Sequence, residues 1–322
     1  MSLGEGDAEA LFGRMLDGDM AEGAIVETLV AMSDRGETAA EIAGAARAMR
    51  ARMIAVAAPE GAIDVCGTGG DGQHSLNVST AVALVVAACG VPVAKHGNRA
   101  ASSKAGGADT LEALGLNLDH AAETAARTLS ELGICFLFAG AHHPAMARIM
   151  PIRKRIGQRT IFNLMGPLAN PAKVARQLVG IARPAYVPIY ADAISRLGTE
   201  RTFVVCGDEG LDELSLAGGN EWAVVSGGEI AMRRAHPGDA GLAVTSLAAI
   251  AGGDAAFNAA ALRRLLDGDR GAYRDAVLFN AAAALMVADR AGDWHDGVMI
   301  AAEAIDAGRA RDLLASWIAI AG

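Results

Sequence analysis

Residues 64 to 103 read DVCGTGGDGQHSLNVSTAVALVVAACGVPVAKHGNRAASS, and this stretch decides how the chain is organised. A short apolar run from Ala62 to Cys66 leads into a loop, and a longer apolar run from Ala81 to Cys89 follows. The loop holds four glycines within six residues, at positions 67, 69, 70 and 72. Glycine permits turns at positive φ and lets an anion approach the backbone N–H groups, and the start of a helix adds a positive dipole end. The order of strand, glycine loop and helix therefore predicts a phosphate-binding site.

A second anion-binding segment follows the predicted helix. The pattern predicts a strand from Val91 to Ala94, after which come polar and basic residues with no acid among them: Lys95, His96, Asn98, Arg99 and Lys104. Two anion-binding segments are thus expected at the ends of neighbouring strands. Ser79 and Thr80, at the start of the helix, are expected to cap it with their N–H groups facing phosphate.

Two other phosphate-binding patterns fit the loop less well. Gly67, Gly69 and Gly72 match the dinucleotide pattern G-x-G-x-x-G, but such a site needs an acid about 20 residues further on. After Asp71 the next acid is Asp109, which is too distant. The Walker pattern also fails, because no Gly-Lys-Ser/Thr ends the loop.

The composition indicates a helix-rich α/β protein. The 322 residues are 52% hydrophobic and only 4% aromatic, which is enough apolar material for two domains or one large one. The longest uncharged apolar run, Ala81 to Ala94, contains Gly90 and Pro92 and is shorter than the about 20 residues of a bilayer span. The acidic start MSLGEGDAEA does not resemble an export signal. We therefore expect no membrane segment and a cytoplasmic location.

The distribution of charge points to a small anionic ligand. The net charge of −9 argues against a nucleic-acid-binding protein. Between Glu131 and Asp192, however, sixty residues contain no acid and several arginines and lysines. The four cysteines are far apart and form no C-x-x-C pair, so we expect them to be buried and chemically inert.

The order of predicted elements gives the domain organisation. Residues 7 to 58 have helical periodicity, with a capping box at Thr38 and Glu41 and an apolar stripe that includes Ile25 and Leu29. Short strands and helices then alternate, which predicts a mainly parallel sheet with ligands at the carboxyl ends of its strands. The predicted strands are 62–66, 91–94, 134–138, 179–181 and 202–206, followed by a hairpin of 222–225 and 230–233.

Several motifs together resemble one family, the anthranilate phosphoribosyltransferases, within the nucleoside-phosphorylase-like phosphoribosyltransferases. They are GTGGD, NVST, KHGNR and ASS in the first stretch, then AGAHHPAM (139–146), RTIFNLMGPLANP (159–171), GDEGLDELSLAG (207–218) and VLFNAAAAL (277–285). The resemblance implies an α/β fold with a mainly parallel central sheet flanked by helices and a small all-helical N-terminal domain. It places residues 1–60, joined by part of about 150–171, in the helical domain and 61–322 in an α/β phosphoribosyl-binding domain. A homodimer through the helical domain is also implied.

The resemblance implies transfer of the phosphoribosyl group of 5-phosphoribosyl 1-pyrophosphate (PRPP) to the amino group of anthranilate, with release of pyrophosphate, in tryptophan biosynthesis. Arg153, Asn98 and Gly67 match the positions that bind anthranilate. The residues that match the positions for PRPP are Gly67, Gly70, Asp71, Ser75, Asn77, Val78, Ser79, Thr80, Lys95, His96, Gly97, Asn98, Arg99, Ala100, Ala101, Ser102, Ser103 and Gly107. At Gly107 the chain reads GGAD where GSAD is common in the family, so one hydroxyl is missing.

The remaining assignments concern metal and histidines. The LDE sequence at 211–213 matches the family, which implies Mg²⁺ held by Asp212, Glu213 and Ser79; without the resemblance the segment would be interpreted as a solvated acidic loop. His96, His142 and His143 are expected to line the pocket, with no certain catalytic role. Arg159 is expected to make an ion pair or to bind loop carbonyls.

Two alternatives stay open at this point. A pyrimidine nucleoside phosphorylase of the same fold would need a K-H-S-T-G-G type phosphate loop, which is not found. A non-enzymatic relative that binds nucleic acid is disfavoured by the acidic net charge.

Overall fold

The central element is a seven-stranded sheet in the order β3-β2-β1-β4-β5-β6-β7. The computed structural model describes residues 2–100 and 104–322. The strands from β1 to β5 are parallel, and β6 and β7 continue the sheet as an antiparallel hairpin. The bounds are β1 Ile63–Gly67, β2 Val93–Gly97, β3 Ile134–Phe138, β4 Arg176–Gly180, β5 Arg201–Gly207, β6 Asn220–Ser226 and β7 Glu229–Ala235. The predicted mainly parallel α/β fold is confirmed.

The second strand differs from the prediction in its position. It runs to Gly97 instead of ending at Ala94, because β2 stays in register with β3 as far as the pair Gly97 and Phe138. Lys95 and His96 therefore lie inside the strand, although charged residues are rarely buried. Lys95 is only 4% exposed.

Helices cover the sheet and form the N-terminal domain. Three helices precede the first strand, and the predicted capping box is present: Thr38 Oγ1 accepts from the Glu41 N–H at 3.3 Å and a Glu41 oxygen accepts from the Thr38 N–H at 3.0 Å. Ile25 and Leu29 are buried in this chain's own core. The helices are α1 Glu5–Asp17, α2 Glu22–Arg35, α3 Ala39–Arg50, α4 Val78–Ala88, α5 Gly107–Leu114, α6 Leu118–Glu123, α7 Ala125–Leu132, α8 Ala139–His142, α9 Met146–Ile156, α10 Val187–Leu197, α11 Ala255–Leu266, α12 Ala272–Val287, α13 Trp294–Asp306 and α14 Arg309–Ala321. No helix in the described ranges combines the length and apolarity that a membrane crossing requires.

The two faces of the sheet belong to different cores, because alternate side chains of a strand point to opposite faces. Leu178 and Phe203 pack with α4 and α12 on one face. Val179 and Val204 pack on the other face, in the core that contains the N-terminal helices. Residues 149–169 join that second core; for example, the ring of Phe162 packs edge to face on Phe12, with the centroids 5.6 Å apart.

This topology places the two predicted anion-binding segments side by side. β1 and β2 are neighbours and parallel, so the loops that follow Gly67 and Gly97 leave the same edge of the sheet. Ligands of such sheets bind at the carboxyl ends of the strands.

Candidate active site

A cleft of about 590 Å³ lies at this edge of the sheet, within the usual range of small-molecule sites. It receives most of the predicted binding residues from the ends of β1 and β2, the start of α4, the helix α9 and the loop after β5. The predicted residues that line it are Gly67, Gly70, Asp71, Ser75, Asn77, Ser79, Thr80, Lys95, His96, Gly97, Asn98, Arg99, Ala100, Gly107, Arg153, Asp212 and Glu213.

Three predicted residues, Val78, His142 and His143, do not line the cleft. Val78 is 1% exposed, its side chain belongs to the core, and its N–H is bonded to the Leu76 carbonyl at 2.8 Å. His142 is also buried, with its Nδ1 lying 3.1 Å from the Ile54 carbonyl. Placing His142 in the pocket was therefore wrong, because its ring lies against the Ile54 carbonyl in the segment after α3. Three further predicted residues, Ala101, Ser102 and Ser103, lie outside the described residues.

The glycine loop has the conformation that its sequence indicates. Gly69, Gly70 and Gly72 have φ values of 69°, 71° and 75°, in the left-handed region where glycine is favoured. Arg159 Nη1 donates to the Gly70 carbonyl at 2.8 Å and lies 3.4 Å from the Gly69 carbonyl. The expectation that Arg159 binds loop carbonyls is confirmed.

The start of α4 differs from the prediction. Asn77, not Ser79 or Thr80, is the N-cap, and its side chain does not bond to the helix N–H groups. Its Oδ1 accepts instead from Thr110 at 2.5 Å and from Asn258 at 2.8 Å. The helix N-terminus is thus left without a cap from its own sequence.

Carboxylates of the LDE loop reach these N–H groups. Asp212 Oδ2 accepts from the Gly69 N–H at 2.6 Å, and Glu213 Oε1 accepts from the Ser79 N–H at 2.8 Å. A Cβ at Gly67 would overlap the Asp212 carboxylate, and one at Gly180 would overlap the Asp212 backbone. Glycine at both positions is therefore what lets the acidic loop lie over the ends of β1 and β4.

The acidic group is electrostatically unfavourable by itself. Burial, together with the nearby Asp71, raises the pKa of Asp212 to about 7. Burial and the neighbouring Asp212 raise the pKa of Glu213 well above its ordinary value, and the buried Glu213 Oε2 has no hydrogen-bond partner. Among the described residues, no three His, Cys, Asp or Glu side chains form a metal cage. A hard cation such as Mg²⁺ fits this donor set if water and phosphate oxygens complete its shell.

The buried lysine of β2 is held by the strands beside it. Lys95 Nζ donates to the Val65 carbonyl at 2.7 Å and lies 3.3 Å from Ser79 Oγ. Asp64, fully buried on β1, accepts from the His96 N–H at 3.0 Å, and burial raises the pKa of its carboxyl group. Sequence analysis missed Asp64, although an acid between apolar residues of a predicted strand is a usable signal for a buried polar network.

His96, which lines the cleft, pairs with His143, which does not line it. The Nε2 atoms of His96 and His143 are 3.3 Å apart. His96 Nδ1 lies 2.7 Å from the Gly166 carbonyl and must be the donor there, because a carbonyl only accepts. Burial, with His143 close by, lowers the pKa of His96 to about 3, and burial lowers that of His143 to about 4. Both rings are therefore neutral near pH 7.

The two arginines assigned to substrates differ in their partners. Arg99 is half exposed and pairs with Asp109 at 3.2 Å and with Glu112 at 2.9 Å. The Arg153 guanidinium group lies 3.6 Å from Met150 Sδ and over the ring of Phe162, and no acid of the described chain forms an ion pair with it. Arg153 is thus a cation of the cleft that lacks a carboxylate.

Gly107, where a serine is common in the family, lies beside the side chains of Thr80 and Lys95. A Cβ there would be 3.2 Å from Thr80 Oγ1 and 3.9 Å from Lys95 Cε. A serine hydroxyl at this position would therefore lie in the part of the cleft that contains Lys95 and the start of α4.

Comparisons with known proteins agree with this arrangement. The model of the glycosyl transferase family, a/b domain, matches residues 59–311, and that of its helical bundle domain matches residues 2–53. The anthranilate phosphoribosyltransferase of Novosphingobium aromaticivorans is 73% identical over 98% of this chain and 96% of its own, and that of Sphingopyxis alaskensis is 67% identical over the same shares.

Solved structures give the same result. The anthranilate phosphoribosyltransferase of Thermus thermophilus superposes with a TM-score of 0.94 and 41% identity, covering 99% of this chain and 96% of that one. The enzyme of Saccharomyces cerevisiae in complex with PRPP and Mg has a TM-score of 0.90 and 28% identity, covering 99% and 93%. These relatives do not support the nucleoside phosphorylase or the non-enzymatic alternative. The chain therefore belongs to the anthranilate phosphoribosyltransferases, enzymes of the glycosyltransferase family.

Proposed function

We propose that the cleft described above is where the phosphoribosyl group of PRPP is joined to the amino group of anthranilate, a step of tryptophan biosynthesis. The observation that carries the proposal is the meeting, in one cleft, of a phosphate-binding loop with an arginine that lacks an acidic partner. The yeast relative, solved with PRPP and Mg, supports the choice of donor and metal.

The phosphates of PRPP are assigned to the glycine loop, the start of α4 and Lys95. Backbone N–H groups and a helix N-terminus favour anions, and the buried ammonium of Lys95 adds a full positive charge. Asn98 and Gly97 continue this surface at the end of β2. Arg99 is already paired with Asp109 and Glu112, so we assign it a smaller role.

Asp212, Glu213 and Ser79 are the residues that would hold Mg²⁺. Their oxygens fit a hard cation, and the unpartnered Glu213 Oε2 is an available ligand. When bound, the metal supplies positive charge that stabilises the leaving pyrophosphate. The chain's own part is to present two carboxylates and a hydroxyl beside the phosphate-binding N–H groups.

Arg153 is assigned to the carboxylate of anthranilate, with Asn98 and Gly67 beside it. A guanidinium group offers a planar pair of donors that match a carboxylate. Binding the acid group in this way orients the aromatic ring and its amine within the cleft, which lowers the entropic cost of reaction.

The chemistry requires little acid or base catalysis. The amine nitrogen forms a bond to C1 of the ribose, the bond from C1 to the pyrophosphate oxygen breaks with inversion, and the nitrogen loses one proton. An aromatic amine is nucleophilic while neutral, so no strong base is needed before the bond forms. His96 carries its proton on Nδ1 and its Nε2 is paired with His143, so we assign it no role as a base.

The direct test uses the fluorescence of anthranilate. With the purified chain, the anthranilate fluorescence should decrease when PRPP and Mg²⁺ are both present. It should stay constant when either is omitted. Persistence of the fluorescence under all conditions would refute the proposal.

Three further assignments remain predictions. The division into a helical domain of 1–60, joined by part of 150–171, and an α/β domain of 61–322 rests on the family resemblance, as does a homodimer through the helical domain. A cytoplasmic location rests on the sequence. Light scattering should give a mass of twice 32.8 kDa if the dimer forms.

A further inference from the structure

Arg159 connects helix α2 to the glycine loop. Its backbone carbonyl accepts from the Ser33 hydroxyl of α2 at 2.8 Å. Its guanidinium group, on the other side, bonds to the carbonyls of Gly70 and Gly69 in the glycine loop. One residue thus joins the helical domain to the loop that the proposed function assigns to phosphate.

The guanidinium group has no competing ion pair in the described part of the chain. Burial lowers the pKa of Arg159, with a further contribution from the nearby Arg183. The loop carbonyls are the hydrogen-bond acceptors that the structure provides for it. A charged donor to a neutral acceptor makes a stronger bond than two neutral groups do.

These bonds fix the direction of N–H groups in the loop. Within one planar trans peptide, the carbonyl of a residue and the N–H of the next point in opposite directions. Holding the Gly69 and Gly70 carbonyls towards Arg159 therefore points the N–H groups of Gly70 and Asp71 away from it. Successive left-handed glycines are costly to order, because glycine loses more conformational entropy than other residues.

We propose that Arg159 is a positioning residue that holds the glycine loop in its phosphate-binding form and couples the placement of the helical domain to binding of PRPP. The inference rests on the proposed function, which assigns the loop to the donor. Because Arg159 also lines the cleft, hydrogen exchange of the loop, and not affinity alone, distinguishes positioning from direct contact with PRPP.

The matched control is Arg183. Both arginines line the same small cavity between α2 and the segment after β4, together with Glu37 and Tyr186. Arg183 lies over the ring of Tyr186 and makes no hydrogen bond to the glycine loop. Replacing it changes the charge of the cavity without freeing the loop.

The experiment measures binding of PRPP to the full chain with Mg²⁺ by titration calorimetry. Arg159→Ala should weaken binding by about tenfold or more, and Ser33→Ala, which removes only the connection to α2, should weaken it less. Millimolar guanidinium should restore part of the loss in Arg159→Ala, and Arg183→Ala should stay within about twofold of the wild type. Amide hydrogen exchange at residues 68–73 should become faster only in the first two variants.

Two results would overturn the inference. One is unchanged binding of PRPP by Arg159→Ala. The other is an equal loss for PRPP and anthranilate without rescue by guanidinium, which indicates a general structural role. If Arg159→Ala does not fold, Ser33→Ala and Arg159→Lys are tested in its place. Unchanged hydrogen exchange at residues 68–73 in both of these variants would count against the proposal. Failure of the wild type itself to bind PRPP would instead refute the proposed function.

Discussion

The carboxylate of Glu213 accepts a hydrogen bond from the backbone N–H of Ser79 at 2.8 Å. An acid from the loop after β5 therefore caps the helix that is proposed to bind phosphate. Acids are favoured at a helix N-terminus by the dipole, yet burial, together with the neighbouring acid Asp212, raises the pKa of Glu213. A bound cation would therefore stabilise the ionised form of both carboxylates.

The first prediction concerns these two acids. Asp212→Asn combined with Glu213→Gln should fold normally but lose most activity at ordinary Mg²⁺ concentrations, because the metal loses two anionic ligands. Raising Mg²⁺ should restore part of the rate, as measured by anthranilate fluorescence. Asp208→Asn, on the same loop but exposed and paired with Arg234, should change the rate by less than about twofold. Wild-type turnover of the double variant at limiting Mg²⁺ would show that the metal assignment is wrong.

The second prediction concerns the unpaired arginine of the cleft. A charge-assisted bond to a carboxylate contributes about 1.5 to 3 kcal/mol. Arg153→Ala should therefore raise the KM for anthranilate by roughly tenfold to a hundredfold or more and leave the KM for PRPP nearly unchanged. Arg153→Lys should recover little, since it keeps the charge but loses the paired donors.

Steady-state kinetics with each substrate varied in turn separates the possible roles of Arg153. The control is Lys154→Ala, the next residue of α9, which is exposed and does not line the cleft. A selective loss for PRPP in Arg153→Ala would assign this arginine to the phosphates instead.

The third prediction concerns Gly180, at the end of β4. A Cβ there would overlap the Asp212 backbone, so Gly180→Ala must displace the acidic loop. We expect a loss of about 1 to 3 kcal/mol in the free energy of unfolding and a higher Mg²⁺ requirement. Gly218→Ala adds the same methyl group where no atom lies within 4 Å. It should change neither the free energy of unfolding nor the Mg²⁺ requirement. Equal urea unfolding curves for the two variants would contradict the expectation.

The fourth prediction concerns pH and the buried histidine pair. Folding lowers the pKa of His143 to about 4, whereas an unfolded histidine titrates near about 6.5. Between these values the unfolded chain binds a proton that the folded chain does not, so stability is full above about pH 6.5 and falls as pH decreases. Each such histidine contributes a slope of about 1.4 kcal/mol per pH unit.

Urea unfolding between pH 7.5 and 4.5 measures this slope. His143→Asn should reduce the slope of the unfolding free energy against pH by roughly the contribution of one histidine. The control His295→Asn, at an exposed position, should leave the slope unchanged. Parallel curves for the wild type and His143→Asn would refute the assignment of the acid sensitivity to this pair.

The sequence alone determined the parts of the site that depend on local chain chemistry. The glycines at 69, 70 and 72 indicated left-handed turns because few other residues adopt them. The alternation of short apolar runs with helices indicated a mainly parallel sheet, and such a sheet brings the ends of β1 and β2 together. The motifs indicated the family, and the comparisons confirmed it.

Only the tertiary structure decided what depends on distant partners. Strand β2 extends through Lys95 because β2 pairs with β3 and because the Val65 carbonyl accepts a hydrogen bond from the Lys95 ammonium group. His142 lies against the Ile54 carbonyl and does not line the cleft. Arg99 pairs with Glu112, whereas Arg153 forms no ion pair with an acid of the described residues. Hydrogen bonds and ion pairs between residues far apart in sequence leave no periodic pattern in the chain, so only the folded arrangement reveals which side chains line the cleft.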